Sequence, residues 1–225
     1  MAQASTNCDP DTFVEASGHT DWDVAMNEEY NSLLENDTWD LVPLPKGRIF
    51  VRCKWVYKTK FGPDGKVYKH KNHLVAKGFS QVEGIDYTKT FSPIGKMNSI
   101  HLVLSLATYF KWEVHQMDVK SAFLHGVFHE EIYMEKPPGF TQTDSSLVCW
   151  LKKSLYGLKQ APRAWYAKMD RFLLDTGFSR CHSDNTVYTK KVGKSLIILF
   201  LYVHDIILTG SYPNLINHVK SNLKK

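Results

Sequence analysis

From Leu196 the chain runs through eight consecutive apolar or aromatic residues to Val203, meets His204 and Asp205, and resumes with Ile206, Ile207 and Leu208. A run of this length suits a buried strand and falls well short of the roughly 18 residues that a membrane-crossing helix needs. Two such runs flanking His204-Asp205 predict a hairpin with an ionisable pair at its tip. Leaving a carboxylate buried and unpaired costs several kcal/mol, so Asp205 is expected to reach solvent, a metal or another cation. The tip is therefore a candidate site.

A second carboxylate has a similar setting. Glu113-Val114-His115-Gln116-Met117-Asp118-Val119 alternates like a half-buried strand and brings Asp118 close to its C-terminal end. Two acids fixed at the ends of neighbouring strands are the arrangement that divalent-metal catalysis of phosphoryl or nucleotidyl transfer requires, with substrate phosphates completing the ligand shell. Either acid alone reads as a solvated strand end.

The residues around both acids extend the pattern over most of the chain. They include Trp39-Asp40-Leu41-Val42-Pro43, Lys54-Trp55-Val56, Leu74-Val75-Ala76-Lys77-Gly78-Phe79, Gln116-Met117-Asp118-Val119-Lys120-Ser121-Ala122-Phe123-Leu124, Pro137-Pro138-Gly139-Phe140 and Ser154-Leu155-Tyr156-Gly157-Leu158-Lys159-Gln160-Ala161-Pro162. In wording, order and spacing the chain resembles the reverse transcriptase of Ty1/copia-type retrotransposons. The resemblance implies an α+β palm-and-fingers polymerase fold, a mainly antiparallel sheet with helices on one face. It implies addition of deoxynucleotides to a primer 3′ end, with an RNA template, a DNA primer, deoxynucleoside triphosphates and two Mg²⁺ ions as partners. Residues 1–18 are expected to be a flexible N-terminus and 19–225 to be fingers and palm. The thumb and the rest of the polyprotein have no counterpart in the sequence, which reads as a truncated copy.

Where the family carries Tyr-Val-Asp-Asp, this chain has Tyr202-Val203-His204-Asp205. The resemblance assigns the metals to Asp118 and the residue at 204, leaving Asp118 and Asp205 as surviving ligands. Histidine suits zinc or iron better than magnesium, and neutral imidazole removes charge that would offset two dications. A one-residue slip bringing Asp205 into the vacant role would turn every side chain of the hairpin to the other face. The chain is thus expected to be catalytically impaired or inactive. His73 and His101 stand where relatives carry arginine, and His73 should hold triphosphate less well than a permanently charged, forked guanidinium. By resemblance Lys71 and Lys77 contact phosphates, Phe123 lies under the incoming sugar, and Gln160 touches the nucleotide.

Charge is concentrated in one stretch. Residues 46–77 hold ten Lys or Arg against the single acid Asp64, while the whole chain carries a net charge of only +5. The alternation in Lys54-Trp55-Val56-Tyr57-Lys58 and Lys66-Val67-Tyr68-Lys69, about the turn Gly62-Pro63-Asp64-Gly65, predicts a basic hairpin. Lys54, Lys58, Lys60, Lys66 and Lys69, interleaved with aromatics, make it a candidate nucleic-acid surface. Cys8, Cys53, Cys149 and Cys181 have neither zinc-finger nor disulfide-framework spacing. With no secretion signal and no membrane span, the chain is expected to be intracellular. Helices are predicted from a Thr20 cap onward, over Met97–Phe110 as a buried helix, after Pro162 up to Gly177, and from Pro213. Strands are predicted at 113–119, 148–151, 186–190, 196–202 and 206–209.

Overall fold

A computed structural model describes residues 9–141, 144 and 146–223. Its helices are α1 (Phe13–Ala16), α2 (Thr20–Glu35), α3 (Met97–Phe110), α4 (Ala161–Asp175) and α5 (Pro213–Leu223). Its strands are β1 (Trp39–Pro43), β2 (Cys53–Phe61), β3 (Val67–Ala76), β4 (Val114–Asp118), β5 (Val127–Met134), β6 (Leu147–Lys153), β7 (Ser179–Arg180), β8 (Val187–Val192), β9 (Ser195–Tyr202) and β10 (Asp205–Gly210). Every strand-to-strand pairing within the sheets is antiparallel. The class is α+β, as expected.

The chain divides into two compact units. The first holds the residues up to Thr90 together with Val127–Ala161; the second holds Phe91–Gly126 and Pro162–Lys225. In the first, the β2–β3 hairpin stands beside a three-stranded sheet of order β1-β6-β5. Strict alternation buries Cys53, Trp55, Tyr57 and Thr59 and exposes Lys54, Val56, Lys58 and Lys60. Helix α2 packs on the buried face: the Trp22 ring meets Tyr57 edge-on at 5.3 Å, and Asn72 Nδ2 donates to the Trp22 carbonyl at 3.2 Å. Residues 9–18 lie against this unit. Asp9 Oδ1 accepts from the Thr59 amide at 2.8 Å, and Ala16 on α1 is fully buried. Residues 1–8 lie outside the described residues.

The second unit is built on a five-stranded sheet of order β4-β10-β9-β8-β7. Ile197, Leu199 and Leu201 join Trp165, Met169 and Leu173 of α4 and Ile216 and Val219 of α5 in one core. The intervening Ile198 and Phe200 are buried as well, so β9 is covered on both faces rather than one. Gly95 is part of that second cover, since a Cβ there would lie 2.4 Å from Phe200 Cζ.

Three local expectations change. Thr20 is the first residue of α2, not its cap; His19 takes the cap position without a side-chain hydrogen bond. Helix α3 has the predicted bounds, but only Val103 and Ala107 are buried, a stripe of one i,i+4 pair, while Leu104 and Phe110 are exposed. The hairpin tip is Val203-His204 rather than His204-Asp205, because Asp205 pairs with Tyr202 across the turn. Cys53, Cys149 and Cys181 are free thiols, and burial pushes the Cys149 thiol up to about 12. Among the described residues no helix is long and apolar enough to cross a membrane.

Candidate functional site

The second unit brings Asp118 and Asp205 together. They are directly opposed in the β4–β10 pairing, and opposed residues of an antiparallel pair project from the same face of a sheet. The ladder continues past them through the Val119 amide, which donates to the His204 carbonyl at 3.0 Å, holding the tip against the end of β4. His204 Nε2 then lies 3.7 Å from Asp118 Oδ1. Asp205 is half-buried and accepts a hydrogen bond from Gln116 Nε2 at 3.2 Å. Its charge is met by an amide dipole at an open strand end, which is how the site avoids burying a bare carboxylate.

The turn carrying His204 is backed by strain and by one buried donor. Val203 has φ +54° and His204 is not among the residues with positive φ, the sign pattern of a II′ turn, whose first central position ordinarily takes glycine. A β-branched residue there stores on the order of 1–3 kcal/mol. The indole N–H of Trp165, on α4, donates to the Val203 carbonyl at 2.7 Å and holds the turn in place. Phe123 sits in a short 3₁₀ turn, Ala122–His125, and packs against the core of this unit.

The remaining predicted residues belong to the first unit. In the hairpin register Lys54 faces Val75, Val56 faces His73, Lys58 faces Lys71, and Lys60 faces Lys69. Five lysines therefore share one exposed face, with Lys66 exposed beside the turn. Like charges directly opposed across a sheet are destabilising, which gives this face a local excess of positive charge. Part of that charge is met internally: Lys69 Nζ lies 2.8 Å from Glu28 Oε2 and Lys58 Nζ 3.4 Å from Asp9 Oδ2. His73 is engaged likewise, its Nδ1 3.1 Å from Glu29 Oε1. Lys77 is half-buried, and its main-chain amide donates to the Arg52 carbonyl. Gln160 is buried, and both ends of its amide are taken. Its Oε1 accepts from Gln81 Nε2 at 3.1 Å and its Nε2 donates to the Asp86 carbonyl at 2.8 Å. That geometry makes it a brace of its own loop.

Sequence reasoning passed over Gln116 and the hydrogen bond of Trp165. Gln116 was legible, because it lies two residues before Asp118 and so shares its face of β4. Trp165 reads as core and is core; nothing in the sequence indicates where its N–H points.

Two magnesium ions would need hard oxygen donors in near-octahedral shells. The donors at hand are the Asp118 carboxylate, beside His204 Nε2; the Asp205 carboxylate, engaged by Gln116; and an imidazole. Among the described residues no group of three or more His, Cys, Asp or Glu side chains is arranged to hold a metal. The set does not fit a magnesium pair.

A family model described as "Reverse transcriptase (RNA-dependent DNA polymerase)" matches residues 36–225. The chain is 46% identical over 226 residues to the Retrovirus-related Pol polyprotein from transposon TNT 1-94 of Nicotiana tabacum, covering 98% of this chain and 17% of that protein. It is 42% identical over 219 residues to the corresponding polyprotein from transposon RE1 of Arabidopsis thaliana, covering 96% of this chain and 15% of that protein. Against the Transposon Ty1-ER2 Gag-Pol polyprotein of Saccharomyces cerevisiae the identity is 29% over 213 residues, with 89% and 11% covered. The chain thus spans less than a fifth of the length of these curated relatives.

Proposed function

Because the chain belongs to the reverse transcriptase (RNA-dependent DNA polymerase) family of Ty1/copia-type retrotransposons, we propose that it is a fingers-and-palm module with a disabled polymerase centre that keeps a nucleic-acid-binding face. The second unit is the palm and the first the fingers. Reverse transcriptases generally use divalent metal ions, with a nucleic-acid template and primer and nucleotide substrates. In this chain the observation that carries the proposal is the imidazole of His204, 3.7 Å from Asp118, at the place where relatives present a second carboxylate. Asp118 then faces a nitrogen base instead of sharing a dication with another acid. Asp205 keeps its own place in the ladder and its bond to Gln116, which argues against its moving into the vacant role.

Primer extension on an RNA template, with Mg²⁺ and with Mn²⁺, tests this on the chain as given beside His204→Asp. No extension from the unmodified chain and measurable extension from the variant is the expected result. Extension by the unmodified chain overturns the proposal. Binding gives a second readout: Mg²⁺ should raise the Tm of His204→Asp and leave that of the unmodified chain unchanged.

The nucleic-acid face rests on the five co-facial lysines Lys54, Lys58, Lys60, Lys69 and Lys71. We assign them to the phosphate backbone of template or primer, and Lys71 and Lys77 also to triphosphate by family correspondence. Phe123 keeps its assignment under the sugar. The buried amide of Gln160 favours a role in shaping its loop over contact with the nucleotide. Affinity for an RNA–DNA duplex should fall steeply with salt, by a log–log slope of about 0.7–0.9 per phosphate neutralised. A flat salt response would remove the electrostatic assignment.

A further inference from the structure

The first unit contains a cavity of about 620 Å³ that the polymerase reading does not use, lined among others by Phe13, Asp23, Met26, Asn27, Tyr30 and Phe140. Three separate segments build it: α1, the stretch of α2 from Asp23 to Tyr30, and the turn Pro137–Phe140. Tyr30 and Phe140 stack with ring centroids 4.0 Å apart and planes 15° from parallel. Phe13 lies over Gly139, where a Cβ would come within 2.6 Å of its ring, and the φ of +88° there independently calls for glycine. The turn is anchored from below by the Trp55 indole N–H, which donates to the Pro138 carbonyl at 2.9 Å. Pro137-Pro138-Gly139-Phe140 is therefore a fixed wall holding two aromatic rings beside the opening.

One charge stands in this aromatic setting. Asp23, in the first turn of α2, is half-buried, and among the described residues no hydrogen bond or ion pair engages its carboxylate. The nearby Asn27 amide goes to the Asp23 main-chain carbonyl at 2.8 Å instead. A carboxylate without a counter-ion beside three aromatic rings attracts a cation and repels phosphates, which sets the cavity apart from the basic face of the hairpin. Among biological cations the guanidinium fits best. It is planar, stacks on aromatic faces, forks onto a carboxylate, and is more weakly hydrated than an ammonium. We propose that this cavity takes the guanidinium group of an arginine side chain presented by a peptide.

The test is a titration of the full chain, followed by amide chemical shifts and calorimetry, with the peptide acetyl-Gly-Arg-Gly-amide, its citrulline counterpart and its lysine counterpart. Citrulline keeps the shape of arginine and lacks the charge. Saturable shifts at Asn27, Gly139 and Phe140 with the arginine peptide, and binding weaker by about tenfold or more with citrulline, are expected. The lysine peptide should fall between them. Asp23→Asn should bring the arginine peptide down to the citrulline level, and Tyr30→Leu should weaken it. Equal binding of arginine and citrulline, absence of shifts, or shifts centred on other acids such as Asp9 and Asp21 would overturn the proposal. Should either variant fail to fold, the comparison of peptides on the unmodified chain decides the matter. His204→Asp should leave the titration unchanged, which separates this site from the polymerase reading.

Discussion

Val203 is a β-branched residue in a backbone conformation that suits glycine, directly before the histidine that faces Asp118. Replacing it with glycine removes the Cβ clash and should stabilise the folded state by about 1 kcal/mol, after allowing for the greater freedom of glycine in the unfolded chain. Thermal unfolding of Val203→Gly checks this, and a lower Tm would mean that Val203 gains more from packing than it loses to strain. Asp184 behaves in the opposite sense. Burial pushes its carboxyl up, but hydrogen bonds from Ser99, Thr186 and the Lys96 amide outweigh burial and hold it below the usual value of 3.8. It ties the start of α3 to the loop before β8, with Ser99 Oγ at 2.6 Å and Thr186 Oγ1 at 2.7 Å. A depressed carboxylate contributes stability above its unfolded value and loses it as pH falls through the folded one. The second unit should therefore lose stability in acid below about pH 4. Asp184→Asn, expected to cost about 2–4 kcal/mol at neutral pH, should flatten that acid limb in a pH series of denaturant melts.

The β2–β3 hairpin is weakened by its own charge pattern. Lys58 opposes Lys71 and Lys60 opposes Lys69 across the pair, an arrangement that costs a few tenths of a kcal/mol per pair when no anion is present. Lys71→Glu should raise the stability of the free chain by about 0.5 kcal/mol and weaken RNA–DNA binding, with the log–log salt slope reduced by about 0.7 or more. A variant that is more stable and binds equally well would show that the opposed lysines are not a phosphate surface. The hairpin was legible in the sequence because its apolar period is two and its turn is rich in Gly, Pro and Asp. The lysines' internal partners were not, since Glu28 and Asp9 are separated from Lys69 and Lys58 by 41 and 49 positions. Helix α3 was legible in its limits but not in its burial. A strongly apolar sequence specifies a helix, yet what covers each face depends on tertiary neighbours: Val103 and Ala107 are buried, Ile100 and Leu106 half-buried, and Leu102, Leu104 and Phe110 exposed.

At the scale of the molecule the chain crosses between its two units after Thr90, Gly126 and Ala161, so each core is assembled from segments distant in sequence. This is why the local elements could be read from their periodicity while the division could not: no linker-like composition marks the three crossings. The opposition of Asp118 and Asp205 was legible from an acid closing one strand and an acid opening another, whereas the His204–Asp118 contact depended on a turn placed one residue earlier than the apolar run suggested. Separate cores predict separable responses to damage. In the first unit Gly157 has φ +87°, and a Cβ there would lie 2.1 Å from the Ala76 carbonyl oxygen and 2.6 Å from Val75 Cγ1. The loop also pairs with β3 through the Ala76 amide, which donates to the Tyr156 carbonyl at 2.8 Å, so the backbone has no room to yield. Gly157→Ala combines a forbidden φ with a backbone clash and should cost about 3 kcal/mol or more. Native-state hydrogen exchange should then show lost protection at Leu74, Ile132 and Cys149, which are buried in the first unit. Tyr188, Leu199 and Ile206, buried in the second, should keep theirs. Equal loss in both groups would mean that the two cores unfold as one cooperative body, and that the division seen in the contacts has no thermodynamic counterpart.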